Sequence, residues 1–145
     1  MNNRMEIQIA ALAVNESFAR SAVAAFIAYL DPTLEELTEI KTGVSEAVSN
    51  AIIHGYEEGE EGIILIECSI GKKGKVLIRI KDEGVGIGDI DKARQPMFTT
   101  GKAEERSGMG FTVMESFMDK LEVESERGIG TTVTMTKFLD AVNGE

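Results

Sequence analysis

Five stretches of the chain have the apolar patterning of β-strands. In the first, Met5, Ile7 and Ile9 alternate with polar neighbours, which predicts a strand buried on one face. Two later stretches flank the segment from Gly71 to Gly74, and that spacing predicts a β-hairpin. The last two are separated by a glycine-containing turn. The five predicted strands are Met5–Ile9, Ile63–Ile70, Lys75–Lys81, Leu121–Ser125 and Thr131–Thr136.

Two segments in the first third of the chain carry apolar residues at helical spacing. Asn15 can cap a first helix that begins near Glu16. Thr33, with Glu36 three residues later, forms a capping box for a longer second helix. Gly55 can supply the C-terminal cap of that helix. The predicted apolar face of the first helix is Phe18, Ala22, Phe26 and Leu30, and that of the second is Leu37, Ile40, Val44, Ala47 and Ala51.

A third helix is predicted from Phe111 to about Asp119, after a long segment of little periodicity. That segment, from Gly84 to about Gly110, predicts a functional loop or lid, because long irregular segments in small domains usually carry function. The element order is β-α-α-β-β-loop-α-β-β, in one predicted domain that spans residues 1–145. This order predicts an α+β two-layer sandwich, with helices packed on one face of a mixed, mostly antiparallel sheet.

The charge and the cysteine content narrow the class of protein. The net charge is −10, from 15 basic and 25 acidic residues. Because a nucleic-acid-binding protein normally has a basic surplus on some face, the composition argues against direct binding of nucleic acid. An acidic surface could instead steer a basic protein partner. No signal-like leader and no apolar run of about 18 residues is visible, so we expect a cytoplasmic protein without membrane attachment. Cys68, the only cysteine, lies in an apolar run and is expected to be a buried small hydrophobe.

The first of three short boxes that carry chemistry is Glu46-x-x-x-Asn50-x-x-x-His54-Gly55, on the second predicted helix. Residues four apart share a helix face, so Glu46, Asn50 and His54 form a polar stripe. The Asn50 amide oxygen can ligate a hard cation such as Mg²⁺. Glu46 could take a proton from an attacking hydroxyl or water. Alone, the box also fits a solvated helix stripe, and a single histidine at a helix end is more often structural than catalytic.

The second box, Asp82-x-Gly84-x-Gly86, begins where a predicted strand ends. The Asp82 carboxylate can accept a hydrogen bond from an exocyclic amino group such as that of adenine. Gly84 and Gly86 lack a Cβ, so their backbone can approach a flat base or sugar closely. Alone, the box also fits a surface turn, because Asp and Gly are common turn residues.

The third box, Gly108-x-Gly110, stands directly before the third helix. Glycines at a helix N-terminus leave backbone N–H groups free to bind phosphate oxygens. Lys102 and Arg106 lie just upstream and could neutralise phosphate charge. Alone, this box also fits a flexible loop. The hydroxyls of the threonine pairs Thr99-Thr100 and Thr131-Thr132 could contact phosphate or base.

Together, and in this order, the boxes resemble those of the GHKL ATPase superfamily, which has the Bergerat fold. Glu46 to Gly55 resembles its N box, Asp82 to Ile87 its G1 box, Gly108 to Phe111 its G2 box, and Gly130 to Thr132 its late-strand threonine element. As a compact domain, the chain is similar to the anti-sigma serine kinases of spore-forming bacteria and their relatives. Five further segments carry that closer resemblance: Asn15–Arg20, Leu30–Thr33, Glu36–Lys41, Ala93–Pro96 and Phe98–Thr100.

The resemblance implies ATP or ADP and Mg²⁺ as cofactors, and an ATP lid at about residues 88–110. It implies Glu46 as the general base, Asn50 as the Mg²⁺ ligand and Asp82 as the acceptor for the adenine amino group, assisted by Thr131. Arg106 would face the γ-phosphate, and Arg20 would contact protein partners. The implied nucleotide-binding residues are Asn50, Asp82, Gly84, Gly86, Thr99, Thr100, Lys102, Gly108, Gly110 and Thr131.

The resemblance also implies partners and an activity. It implies a homodimer that binds a sporulation sigma factor while nucleotide is bound, and that phosphorylates a serine on an anti-anti-sigma protein. Three alternatives stay open on the sequence: an anti-sigma kinase of the stress response, a nucleotide-gated binding module without significant kinase activity, and a detached catalytic domain of a sensor histidine kinase.

Overall fold

A computed structural model describes residues 2–56, 61–84, 110–126 and 128–140, without the side chain of His54. The element order matches the prediction from the sequence. The strands are β1 (Asn3–Ala10), β2 (Ile63–Ile70), β3 (Lys75–Asp82), β4 (Lys120–Glu126) and β5 (Gly130–Phe138). The α-helices are α1 (Asn15–Ile27), α2 (Leu34–Asn50) and α3 (Gly110–Phe117), with 3-10 turns at Ala28–Leu30 and Lys72–Gly74 and a π-helical turn at Ala51–Gly55.

The five strands form one sheet in the order β1-β2-β3-β5-β4, and all four pairings in the described part of the chain are antiparallel. Helix α2 packs between α1 and α3, and it contacts the central strands β3 and β5. The predicted α+β sandwich is therefore confirmed. No helix within the described ranges is both long and apolar enough to cross a membrane.

The core lies between this sheet and the helices. Alternate side chains of β2 and β3 are buried, and so is the stripe of α2 that includes Ile40, Val44 and Ala47. Cys68 is fully buried on β2, as predicted, and burial raises the pKa of its thiol to about 12. The predicted capping box of α2 is confirmed: the Thr33 hydroxyl accepts from the Glu36 N–H at 3.0 Å, and the Glu36 carboxylate accepts from the Thr33 N–H at 2.9 Å.

The predicted apolar face of α1 is wrong by one residue. The residues that enter the core are Ala19, Val23 and Ile27, whereas the side chain of Phe18 is 55% exposed. Two of the other predicted positions, Phe26 and Leu30, pack only partly against the core, beside the buried stripe. Helix α1 is rich in apolar residues around much of its circumference, so its spacing pattern fits two neighbouring faces.

Two predicted helix caps are also wrong. Asn15 does not cap α1, because its side-chain amide donates to the Ala10 carbonyl at 3.0 Å and so ties the helix to the end of β1. Gly55 is not a left-handed cap of α2, since it has no positive φ and the chain passes from the π-helical turn directly into the extended Tyr56. Gly55 is instead required by its close contact with the Asp82 carboxyl group.

Candidate functional site

The first box lies on the last turns of α2. Glu46 and Asn50 are both half-buried there, one helical turn apart, as the sequence predicts. The capping box at the start of α2 and the buried apolar stripe along it fix the helix on the sheet, so these two polar side chains stand on a rigid element. After Asn50 the helix widens into the π-helical turn Ala51–Gly55. Such turns are frequent at functional sites because they redirect a few residues without ending the helix.

The carboxamide of Asn50 lies directly against the first residue of α3. A Cβ placed on Gly110 would stand 2.6 Å from Asn50 Nδ2 and 3.1 Å from Asn50 Oδ1. The first distance is too short for a real Cβ atom and the second is tight, so glycine at 110 allows the Asn50 carboxamide to lie against the N-terminus of α3. The first and third boxes are therefore brought together, at a helix N-terminus of the kind that binds phosphate.

Asp82, the last residue of β3, is buried with only 6% of its surface exposed. Burial raises the pKa of its carboxyl group because the charged form loses water, and hydrogen bonds from the N–H groups of Gly84 and Thr131 offset part of that rise. The Gly84 N–H donates to Asp82 Oδ1 at 2.9 Å. The structure thus holds a buried carboxylate in one orientation at the end of a central strand.

The second box also meets the end of the first. A Cβ on Gly55 would stand 3.0 Å from the Asp82 carboxyl group, and a Cβ on Gly84 would stand 1.7 Å from the Gly55 carbonyl oxygen. Gly130 makes a third close backbone contact, since a Cβ there would stand 2.1 Å from the Asp82 carbonyl oxygen. Gly55, Gly84 and Gly130 therefore allow close packing around Asp82.

Thr131 is Asp82's partner across the β3–β5 pairing and is buried beside it. Its hydroxyl lies 2.7 Å from the Ser125 hydroxyl on β4, which also contacts the Gly130 carbonyl at 3.1 Å. The pairing thus places Thr131 beside Asp82, and its proposed help in binding adenine stays a prediction. Ser125 was missed by the sequence analysis, because only the register of β4 against β5 places it there.

Arg20 lies on α1, with its side chain 41% exposed and its Nε 3.6 Å from Glu16 Oε2. Glu16 in turn accepts a hydrogen bond from the Ser45 hydroxyl on α2, next to Glu46 along the helix. The surface around Arg20 is therefore connected by polar contacts to the helix that carries Glu46 and Asn50.

The remaining predicted site residues fall outside the described residues: Gly86, Thr99, Thr100, Lys102, Arg106 and Gly108. The predicted lid before Gly110 also lies outside them. Within the described ranges, no three His, Cys, Asp or Glu side chains are grouped so that they could hold a metal ion by themselves.

Comparison with known proteins agrees with this geometry. The chain matches the histidine kinase-like ATPase domain over residues 9–137. The chain superposes on the crystal structure of the RsbU and RsbW domains of Rv1364c from Mycobacterium tuberculosis with a TM-score of 0.70 at 20% identity. The match covers 94% of this chain and 32% of that one. The histidine kinase domain of the blue-light activated kinase from Erythrobacter litoralis superposes with a TM-score of 0.59 at 18% identity, covering 89% of this chain and 63% of that one. These two likenesses concern the fold.

The fold and the assembled boxes thus define a nucleotide-binding domain of the histidine kinase-like ATPase class. The sequence identity to proteins of Bacillus species is much higher than to these two structures. The chain is 59% identical over 143 residues to the anti-sigma F factor of Bacillus cytotoxicus, and the match covers 99% of this chain and 97% of that protein. The chain belongs to the anti-sigma F factor family.

Proposed function

We propose that this protein is an anti-sigma factor and an ATP-dependent protein-serine kinase. In this proposal it binds and inhibits a sporulation sigma factor as a cytoplasmic homodimer. It also transfers the γ-phosphoryl group of Mg-ATP to a serine of an anti-anti-sigma protein. The names of its relatives support a sigma factor as partner, since the relatives at 59% identity are anti-sigma F factors.

The observation that carries the proposal is that the end of α2 lies against both of the other boxes. Asn50 contacts the Gly110 position at the start of α3, while Gly55, five residues later, lies against Asp82 and Gly84. One short stretch of chain thus connects a helix N-terminus, of the kind that binds phosphate, with a buried carboxylate that can accept a hydrogen bond from a nucleotide base. This combination supports a nucleotide whose two ends are held by different boxes.

Asp82 and Asn50 are proposed to recognise the two ends of ATP. The Asp82 carboxylate keeps oxygen lone pairs beyond the two N–H groups that already donate to it, and these can accept from the adenine amino group. The Asn50 carboxamide oxygen would ligate Mg²⁺, which when bound neutralises phosphate charge. One protein oxygen fits this ion because Mg²⁺ takes most of its ligands from phosphates and water.

Glu46 is proposed as the general base. It stands one turn before Asn50 on the same half-buried stripe of α2, which supports a position near the transferring phosphoryl group. The serine oxygen would bond to the γ-phosphorus, the bond to the bridging oxygen of ADP would break, and Glu46 would accept the hydroxyl proton. The roles of Arg106, Lys102, Thr99 and Thr100 at the phosphates rest on the family resemblance, as does partner contact by Arg20.

The test is Glu46→Gln, assayed with labelled ATP and the anti-anti-sigma protein. We expect nucleotide affinity to change little and the rate of phosphoserine formation to fall by about 100-fold or more, because the amide cannot accept the proton. Glu39→Gln is the matched control, since Glu39 lies on the same helix and pairs with Lys137 at 2.9 Å, away from the boxes. Unchanged transfer in Glu46→Gln would refute the base assignment. Nucleotide binding by the wild-type protein without any phosphoserine would favour the nucleotide-gated binding module.

A further inference from the structure

Tyr56 follows the first box directly and makes contacts that none of the roles above requires. Its ring packs partly against the core. Its hydroxyl makes two hydrogen bonds: it donates to the Ile63 carbonyl at 2.7 Å and accepts from the Glu83 N–H at 2.9 Å. One hydroxyl group therefore joins the start of β2 to the first residue after β3.

These two bonds replace a rung of the sheet. Ile64 pairs with Asp82 in the β2–β3 ladder, so Ile63 and Glu83 would be the next opposite residues. Facing residues of an antiparallel ladder alternate between pairs that exchange backbone hydrogen bonds and pairs that do not. The Gly71 N–H donates to the Lys75 carbonyl at 2.8 Å, and every second pair from there along the β2–β3 register leads to Ile63 and Glu83, which would therefore be a bonded pair. Here the Tyr56 hydroxyl stands between the Glu83 N–H and the Ile63 carbonyl, so the backbone after Asp82 leaves β2 at this point.

The path that the chain then takes determines the surroundings of Asp82. Gly84 lies so close to the Gly55 carbonyl oxygen that any Cβ there would stand 1.7 Å away, and its N–H donates to Asp82 Oδ1 at 2.9 Å. The Asp82 carboxylate accepts from two N–H groups, those of Thr131 and Gly84. The Gly84 donor lies two residues beyond the strand and one residue beyond the N–H bound by Tyr56. A shift of Glu83 would move that donor.

We propose that Tyr56 is a positioning residue of the nucleotide pocket. Its hydroxyl fixes the path of Glu83 and Gly84, and through the Gly84 N–H it holds the Asp82 carboxylate in the orientation that selects adenine by its amino group. This inference rests on the proposed role of Asp82 as the base-reading carboxylate, and it adds a residue that sets the specificity of that reading.

Tyr56→Phe tests the proposal because it removes only the hydroxyl and keeps the ring. The readout is the affinity of the full chain for Mg-ATP and for Mg-ITP, whose base carries an oxygen in place of the amino group. We expect the affinity for ATP to fall about ten-fold and that for ITP to change less than about two-fold, since weakening the one hydrogen bond between the Asp82 carboxylate and the adenine amino group is of that order. The ATP-over-ITP preference would then fall by about the same ten-fold factor.

The control is Tyr29→Phe, because Tyr29 is the only other tyrosine and is 62% exposed in the turn after α1. We expect its ATP-over-ITP preference to equal that of the wild type. A second variant, Gly62→Ala, keeps the hydroxyl group but displaces the ring that carries it, since a Cβ on Gly62 would stand 2.6 Å from three atoms of the Tyr56 ring. It is expected to lower the preference in the same direction, and thermal unfolding of each variant would establish that it is folded.

Three results would overturn the proposal. A wild-type ATP-over-ITP preference in Tyr56→Phe would show that the hydroxyl does not orient Asp82. Equal weakening of ATP and ITP would show a general structural role without base selection. Failure of the wild-type protein to prefer ATP over ITP would refute the role of Asp82 itself, and that result is distinguishable because it appears before any variant is compared.

Discussion

At the scale of single residues, the candidate site depends on side chains that are absent as much as on those that are present. Gly55, Gly84, Gly110 and Gly130 each stand where a Cβ would meet Asp82, Asn50 or the adjoining backbone at 3.0 Å or less. Only Gly130, with φ of 142°, also needs glycine for its backbone conformation. The other three are required by close approach, which ties them to the geometry of the pocket.

Gly110→Ala is expected to disturb the candidate pocket without weakening the fold. Alanine is about 1 kcal/mol more favourable than glycine within a helix, so the start of α3 should not be weakened by its helix propensity. The new methyl group would meet the Asn50 carboxamide at 2.6 Å and displace it. We expect the affinity for Mg-ATP, measured by titration calorimetry, to fall about ten-fold or more, because the proposed Mg²⁺ ligand moves.

The control for this variant is Gly71→Ala. Gly71 has φ of −111°, and the nearest atom to its Cβ position is Lys75 Cβ at 3.9 Å, so a methyl group fits there. Its affinity for Mg-ATP should match that of the wild type. An unaltered affinity in Gly110→Ala would contradict the assignment of Asn50 to the nucleotide.

At the scale of elements, Glu36 fixes the N-terminus of α2 and also binds the backbone just after β5. One carboxylate oxygen of Glu36 accepts the Thr33 N–H of the capping box, and the other accepts the Asp140 N–H at 2.8 Å. Burial by itself raises the pKa of Glu36, but these hydrogen bonds, with the Thr33 hydroxyl contact and the nearby Lys137, outweigh it and lower the pKa below its ordinary value of 4.5. The ionised form of Glu36 therefore stabilises the folded state.

Glu36→Ala should lower the free energy of unfolding by about 2 kcal/mol at neutral pH, because it removes half of the capping box and leaves two backbone N–H groups, those of Thr33 and Asp140, without their acceptor. Because the folded-state pKa is lowered, this stabilisation is present above pH 4.5 and is lost as the pH falls through the folded-state pKa. Glu35→Ala, an exposed acidic residue of the same first turn, should cost about 0.5 kcal/mol or less. Urea unfolding at several pH values measures both, and equal losses for the two variants would contradict this role of Glu36.

The elements themselves could be predicted from sequence because their signals are local. The capping box, the hairpin around Gly71 to Gly74 and the alternation in β1 each involve residues a few positions apart, and all are observed. The buried face of α1 could not be predicted, since Phe18 and Ala19 begin two apolar stripes of equal spacing, and only the packing on α2 selects the second. The contact of Gly55 with Asp82 was missed for a related reason, because it joins residues on different elements.

At the scale of the whole molecule, the site is assembled by the order of the sheet. Asp82 ends β3 and Thr131 is the first residue of β5 that pairs with β3, and these strands are neighbours although many residues separate them in sequence. Helix α2 crosses behind these strands and brings Asn50 to the start of α3. The order of the three boxes in the sequence predicted that a nucleotide site exists, but the tertiary path was needed to show that the end of the first box joins the other two.

The net charge of −10 belongs to the whole surface and bears on the proposed partner. Long-range attraction between this surface and a basic partner would accelerate their encounter, whereas short-range contacts govern how long the complex lasts. We therefore expect the association rate constant with a sporulation sigma factor, measured with ATP present, to fall about ten-fold from low to high ionic strength as salt screens the charges. The dissociation rate constant should change much less, and a nonionic osmolyte should not reproduce the effect. An association rate that is insensitive to salt would show that the acidic surface does not steer this partner, and binding would then rest on local contacts such as those proposed around Arg20.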